Sequence, residues 1–190
     1  MQLRNKLIVA TLAGSLFYYH SKVQWEGEVL KPYKDSVGVP TIGIGSTQYP
    51  PDFRNGAKVK MTDAAITHDE ALKISKWHAA KDEQFLIASL PNVELTQREF
   101  DIYLDFVYNF GRATWSKSSM RRELLLTANK PLETRPEHYR NACRALLRYK
   151  FAGGMDCSKD KRCAGVWKRQ QWRYKTCMIE NATQNSEGAE

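Results

Sequence analysis

The stretch that most limits the fold is residues 31–47, KPYKDSVGVPTIGIGST. Pro32, Gly38, Pro40, Gly43 and Gly45 break a helix there, whereas Tyr33, Val37, Val39, Thr41, Ile42 and Ile44 favour extended chain, so a short β-hairpin is predicted. Downstream the character reverses. Thr67 and Glu70 have capping-box spacing ahead of ALKISKWHAAKDEQFLIASL, and Thr96 and Glu99 repeat it ahead of FDIYLDFVYNFG. Phe100, Tyr103, Leu104, Val107 and Tyr108 recur at helical spacing and Gly111 follows where a cap belongs, which predicts a core helix. Residues 23–30 read as a helix end, and further helices are predicted over 118–128, 137–149 and 166–179, with KFAGGMDCSKDKRCAG as the last loop. A small β-element followed by a helical body is an α+β arrangement.

At 190 residues the chain suits one domain with a sizeable core. The expected division is an N-terminal segment 1–22, a folded body 23–180 and a frayed polar tail 181–190. A formal charge of +8 points to an anionic partner, for which nucleic acid, acidic lipid and bacterial wall polymer all qualify. Between Arg140 and Lys175 there are eleven Lys or Arg and two Asp; most are expected to be solvated helix faces, with some attraction to anionic wall material.

The N-terminus, MQLRNKLIVATLAGSLFYYHSK, puts Arg4 and Lys6 before an uncharged run from Leu7 to Ser21, the layout of an export signal. The run falls short of the roughly 20 apolar residues of a comfortable span, and Ala10, Ala13, Gly14 and Ser15 dilute it. No A-x-A site follows, since Phe17, Tyr18, Tyr19 and His20 occupy that region. A retained segment that engages the membrane is therefore expected, and its removal is expected to leave a soluble protein; a buried first helix is the alternative. Four cysteines, Cys143, Cys157, Cys163 and Cys177, agree with export and allow three pairings. Cys157 with Cys163 and Cys143 with Cys177 is the favoured pair of bridges. With no CxxC and with His68 and His78 far upstream, no metal is expected, nor any cofactor.

The chemistry is suggested by Glu26, Asp35 and Thr41. Cleaving a glycosidic bond takes one carboxylic acid to protonate the leaving oxygen and usually a second carboxylate to direct water or attack the sugar. Glu26 beside Trp25 suits the protonated role, because apolar surroundings and partial burial raise a carboxyl pKa. Asp35 across a turn suits the ionised role, Thr41 offers a hydroxyl to hold water, and Gly43 with Gly45 would let a polymer approach the backbone. Singly, each has a plainer reading: a surface acid, a turn residue and a strand residue.

The order Glu, eight residues, Asp, five residues, Thr, then Ile-Gly-Ile-Gly resembles the active-site segment of the phage-type lysozymes, or endolysins. LTQREFDIYLDFVYNFG resembles that family's central helix, and RYKFAGG with CAGVWKRQQWRYKTC its C-terminal region. The resemblance covers about residues 24–180 and implies a muramidase that cuts between N-acetylmuramic acid and N-acetylglucosamine in peptidoglycan. It implies Glu26 as general acid, Asp35 as second carboxylate and Thr41 as the hydroxyl placing the water, with inversion at the anomeric carbon. Thr47, Tyr108, Asn109 and Ser118 match sugar-cleft positions, although Tyr108 also suits a core and Asn109 and Ser118 suit helix caps.

Some relatives carry a weak N-terminal signal-anchor, which would hold an exported monomer at the periplasmic side of the inner membrane or release it to the periplasm. Ser46 departs from the family, which often has His there. The cysteine exchange that controls some anchored relatives has no counterpart here, since all four cysteines lie elsewhere. A lytic transglycosylase is opposed by Asp35 and Thr41. A tethered wall-binding module without catalysis remains a rival, and a nucleic-acid binder rests on charge alone.

Overall fold

The computed structural model describes residues 6–35, 38–128, 130–131 and 133–182. The chain begins with β1 (Leu7–Ile8), α1 (Leu16–Glu26), β2 (Val29–Lys34), β3 (Pro40–Gly43) and α2 (His68–Ser89). It continues with β4 (Glu94–Leu95), α3 (Gln97–Phe110), α4 (Arg112–Ser116), α5 (Ser119–Thr127), α6 (Arg135–Ala145), β5 (Phe151–Ala152), β6 (Met155–Asp156) and α7 (Ala164–Glu180). Two compact units emerge, one of residues 14–84 and one combining the chain's start to residue 13 with everything from residue 85.

In the first unit α1 starts where Ser15 Oγ accepts from the Phe17 N–H at 3.1 Å. It stops at Glu26, not Leu30, because Gly27 takes a φ of 76°, open to glycine at no steric cost. The predicted hairpin follows: β2 and β3 pair antiparallel, with Tyr33 opposite Thr41 and Lys34 opposite Pro40. Val37, expected in it, lies outside the described residues. The Thr67–Glu70 capping box is formed, with bonds of 2.7 and 3.2 Å. Ile42, Ile44, Tyr49, Val59, Ile66, Ala71 and Ile74 form the core, with Val23 and Leu30 against it. Gly43, expected to let a polymer approach the backbone, is needed here for packing. It is buried at a φ of 63°, and a Cβ on it would sit 3.2 Å from that of Ala71.

The second unit packs α3, α6 and α7 around Phe100, Tyr103, Leu104, Phe106, Val107, Tyr139 and Leu146, all buried. The Thr96–Glu99 capping box and the Gly111 cap bound α3 as predicted. Cys143–Cys177 bridges α6 to α7, and Cys157–Cys163 closes the short loop before α7, the favoured pairing of the three. The segment expected to be only a loop contains the β5–β6 hairpin, too short for a periodic signal.

Two expectations need correction. The boundary placed after residue 22 falls inside α1, and the N-terminal segment is woven into the fold. Leu7 and Ile8 pair with Leu95 and Glu94, Val9 and Tyr18 are wholly buried, and the Lys6 ammonium forms a buried ion pair with Glu99, 3.8 Å over the Tyr139 ring. This favours the alternative of a buried first helix, and no helix among the described residues is long and apolar enough to cross a membrane. The tail does not begin at 181, because Asn181 is buried and its amide donates to Glu99 Oε1 at 2.6 Å and to the Cys177 carbonyl at 3.0 Å. Residues 183–190 lie outside the described set.

The basic run, expected to be mostly solvated, includes two arginines that are not. Arg169 and Arg173 are buried against Asp105 of α3: Arg169 donates at 2.6 and 3.1 Å, and Arg173 Nε at 2.7 Å. Burial raises the Asp105 carboxyl pKa, but the Arg173 and Arg169 guanidiniums outweigh it and leave the group below its ordinary value. Asp105→Asn would strand two buried cations and is expected to cost about 3–5 kcal/mol of unfolding free energy in urea melts. Because the folded-state pKa is depressed, the Asp105 contribution is complete above the unfolded-state value of roughly 4 and is lost as pH falls through the folded value. The variant should therefore show a shallower loss of stability below roughly pH 4 than the parent.

Candidate active site

The end of α1 and the β2–β3 hairpin bring the predicted acids into one unit. Glu26 is the last residue of α1, and Gly27, donating its N–H to the Val23 carbonyl at 2.8 Å, turns the chain into β2. The entry to β2 is tied to the first residue of α2 by Glu28, whose carboxylate meets His68 Nδ1 at 2.8 and 3.1 Å, and β2 itself to the segment before α2 by Ile66 N–H on the Leu30 carbonyl at 2.9 Å. The geometry after Glu26 is thus fixed from two sides.

Asp35 closes the hairpin. Its Oδ1 accepts the Val39 N–H at 2.8 Å and its own N–H donates to the Val39 carbonyl at 3.0 Å. The Thr41 hydroxyl, buried, donates to that same carbonyl at 3.0 Å. Asp35 and Thr41 therefore share Val39 as an anchor, and Thr41 keeps oxygen lone pairs able to accept from water. Tyr33 lies on β2 two residues before Asp35 and opposite Thr41 in register. Burial pushes the Tyr33 phenol above its ordinary pKa, and the negative charges of Asp35 and then Glu26 push it the same way. Both carboxylates are thus felt at one phenol. Sequence reasoning passed over Tyr33, although strand alternation with Asp35 was a signal for it.

Glu26 is exposed in the isolated chain, not partly buried as expected, so its own unit does not surround it with apolar groups. Ser46, where a His is usual, is buried, and its N–H and carbonyl close a two-way bridge with Ile42 at 3.0 and 2.9 Å around the Gly43–Gly45 turn. The backbone supplies the buttress at that position. Further along, His78 on α2 donates Nε2–H to the Gln48 carbonyl at 2.8 Å, and burial pushes its imidazole pKa down, which keeps the ring neutral at pH 7.

Of the expected cleft residues only Thr47 belongs to this unit, and it is exposed. Tyr108, Asn109 and Ser118 belong to the other. Tyr108 is half-buried on α3, Asn109 Oδ1 accepts from Arg173 at 3.0 Å, and Ser118 is the N-cap of α5, its Oγ accepting the Arg121 N–H at 3.1 Å. Ser118 has the capping role weighed for it; Asn109 does not cap, being held inside α3 by an arginine of α7.

The sequence profile of the Phage lysozyme family matches residues 23–173, a span that holds Glu26, Asp35, Thr41 and the whole of the hairpin. The chain belongs to the phage lysozyme family. It is 34% identical over 131 residues to the endolysin of Salmonella phage P22, which covers 67% of this chain and 77% of that one. A crystal structure of a P22 lysozyme mutant superposes with a TM-score of 0.68 at 26% identity, covering 88% of this lysozyme-family chain and 99% of the other. The active form of the P1 phage endolysin has a TM-score of 0.67 at 14% identity, covering 93% and 90%, a likeness of fold alone. Family and fold agree with the resemblance drawn from the glutamate, aspartate and threonine spacing and with the α+β class.

Proposed function

We propose that this peptidoglycan-hydrolysing lysozyme cuts the β-1,4 bond between N-acetylmuramic acid and N-acetylglucosamine with Glu26, Asp35 and Thr41 as its catalytic groups. Protonated Glu26 gives its proton to the glycosidic oxygen as the bond from the anomeric carbon breaks. On the other face a water oxygen bonds to that carbon while Asp35 takes up the released proton, and Thr41 accepts the water's other hydrogen. The product is inverted. The observation that carries this reading is the anchoring of Asp35 and Thr41 on the one Val39 carbonyl, in the hairpin that Glu26 leads into.

Thr47, Tyr108, Asn109 and Ser118 are proposed to line the glycan path. The chain works as a monomer whose catalytic body begins with the paired strand Leu7–Ile8 and runs to Asn181. A membrane-engaged state of the uncharged run Leu7–Ser21 would precede release to the periplasm, for a run inserted in lipid cannot also pair with β4. Murein digested by the enzyme, followed by proton NMR, should show the α-anomer of the new reducing end first. Early β-anomer would assign Asp35 as a nucleophile instead, and 1,6-anhydro ends in mass spectra would turn the reading to a lytic transglycosylase.

A further inference from the structure

A groove of about 400 Å³ runs along the start of α5, lined by Lys117, Ser118, Arg121, Arg122, Leu125 and Leu126 among others. Its lining has no carboxylate among the described residues. Glu123, the acid of α5, is engaged elsewhere, 2.8 Å from His138 Nδ1. Arg121 is held in place, its Nε donating to the Ser89 carbonyl at 3.0 Å. Arg148 reaches Ser119 Oγ at 3.4 Å and brings another cation to the same helix start. Lys117 and Arg122 are exposed. The first turn of α5 adds the positive end of its dipole.

The same groove is apolar on one wall, where Leu126 is 40% exposed beside Leu125. Spacing puts Arg121 and Arg122 four residues before Leu125 and Leu126, so each cation sits one helical turn from a leucine. Nucleic acid would call for stacking aromatics, and none is among the lining residues. Cations next to exposed aliphatic side chains suit a ligand whose phosphate is joined to hydrocarbon.

We infer that the α5 groove docks the phosphate headgroup of an anionic phospholipid, so that the folded enzyme adheres to a membrane surface through Lys117, Arg121 and Arg122 while Leu125 and Leu126 meet the acyl boundary. This contact is electrostatic and superficial, unlike insertion of the N-terminal run, and so weakens with added salt.

The test is co-sedimentation of the full-length chain with vesicles of phosphatidylcholine containing phosphatidylglycerol, beside phosphatidylcholine alone. The parent should bind the anionic vesicles selectively and be released by salt. K117Q/R122Q should bind them about thirtyfold more weakly, each charge near the surface being worth about a factor of five. K117R/R122K should bind like the parent, and all three proteins should melt alike and hydrolyse murein fragments alike. Equal vesicle binding by K117Q/R122Q would overturn the assignment, as would salt-insensitive binding. Saturation of the groove by inorganic phosphate without any preference for anionic vesicles would make it a free-phosphate site. If K117Q/R122Q instead loses affinity for murein sacculi and keeps its vesicle binding, the groove belongs to the substrate, through Ser118, and the lipid assignment fails.

Discussion

Glu26→Gln is expected to melt like the parent and to clear a murein suspension about a thousandfold more slowly or worse. A glutamine matches glutamate in shape but has no proton to give, and a positioned general acid contributes on the order of a hundred- to ten-thousandfold. Folding should be indifferent because Glu26 is exposed at the C-terminal end of α1, where the cap is made by the backbone of Gly27. Near-parental clearing by this variant would return Glu26 to the status of a surface acid and take the mechanism with it. Should the variant lose hydrolysis in vitro yet lyse cells as the parent does, the chain would act as a wall-binding module.

Removing residues 1–22 is expected to abolish cooperative folding. Val9, Leu12, Tyr18 and Tyr19 are buried, and each large apolar side chain stabilises by about 1.5–3 kcal/mol. Together they rival the whole stability of a small protein, about 5–15 kcal/mol. The cut also takes Lys6 from Glu99 and leaves a buried carboxylate without its ammonium, and it strips β4 of its partner strand. Circular dichroism should show no sharp thermal transition for the truncated chain. A truncated protein that melts near the parental temperature and clears murein would mean that the N-terminal contacts are dispensable and would restore the original division at residue 22.

The lesson of the N-terminus is one of ambiguity in the physics. An apolar run with two cations ahead of it carries the same composition whether it faces lipid or the inside of a protein. Lys6 reads as a signal-sequence cation, yet in the fold it neutralises Glu99 from the far end of the chain. Which members of the basic run are buried, Arg169 and Arg173, was hidden for a similar reason. Their partner Asp105 lies more than sixty positions away on α3, and no local pattern links them. Strands as short as β1, β4, β5 and β6 are likewise set by tertiary pairing, since two residues are too few to show a period.

What the sequence alone determined is whatever depends on neighbours along the chain. The helix-breaking residues fixed the hairpin, the Thr67–Glu70 and Thr96–Glu99 pairs fixed two helix starts, Gly111 fixed an end, and the spacing of Glu26, Asp35 and Thr41 carried the family. Tertiary structure alone decided which charges are buried, where residues 7–22 go, and that Tyr33 stands where both acids are felt. Those outcomes turn on desolvation and pairing between groups far apart in the chain, and such energies exist only once the chain has brought the groups together.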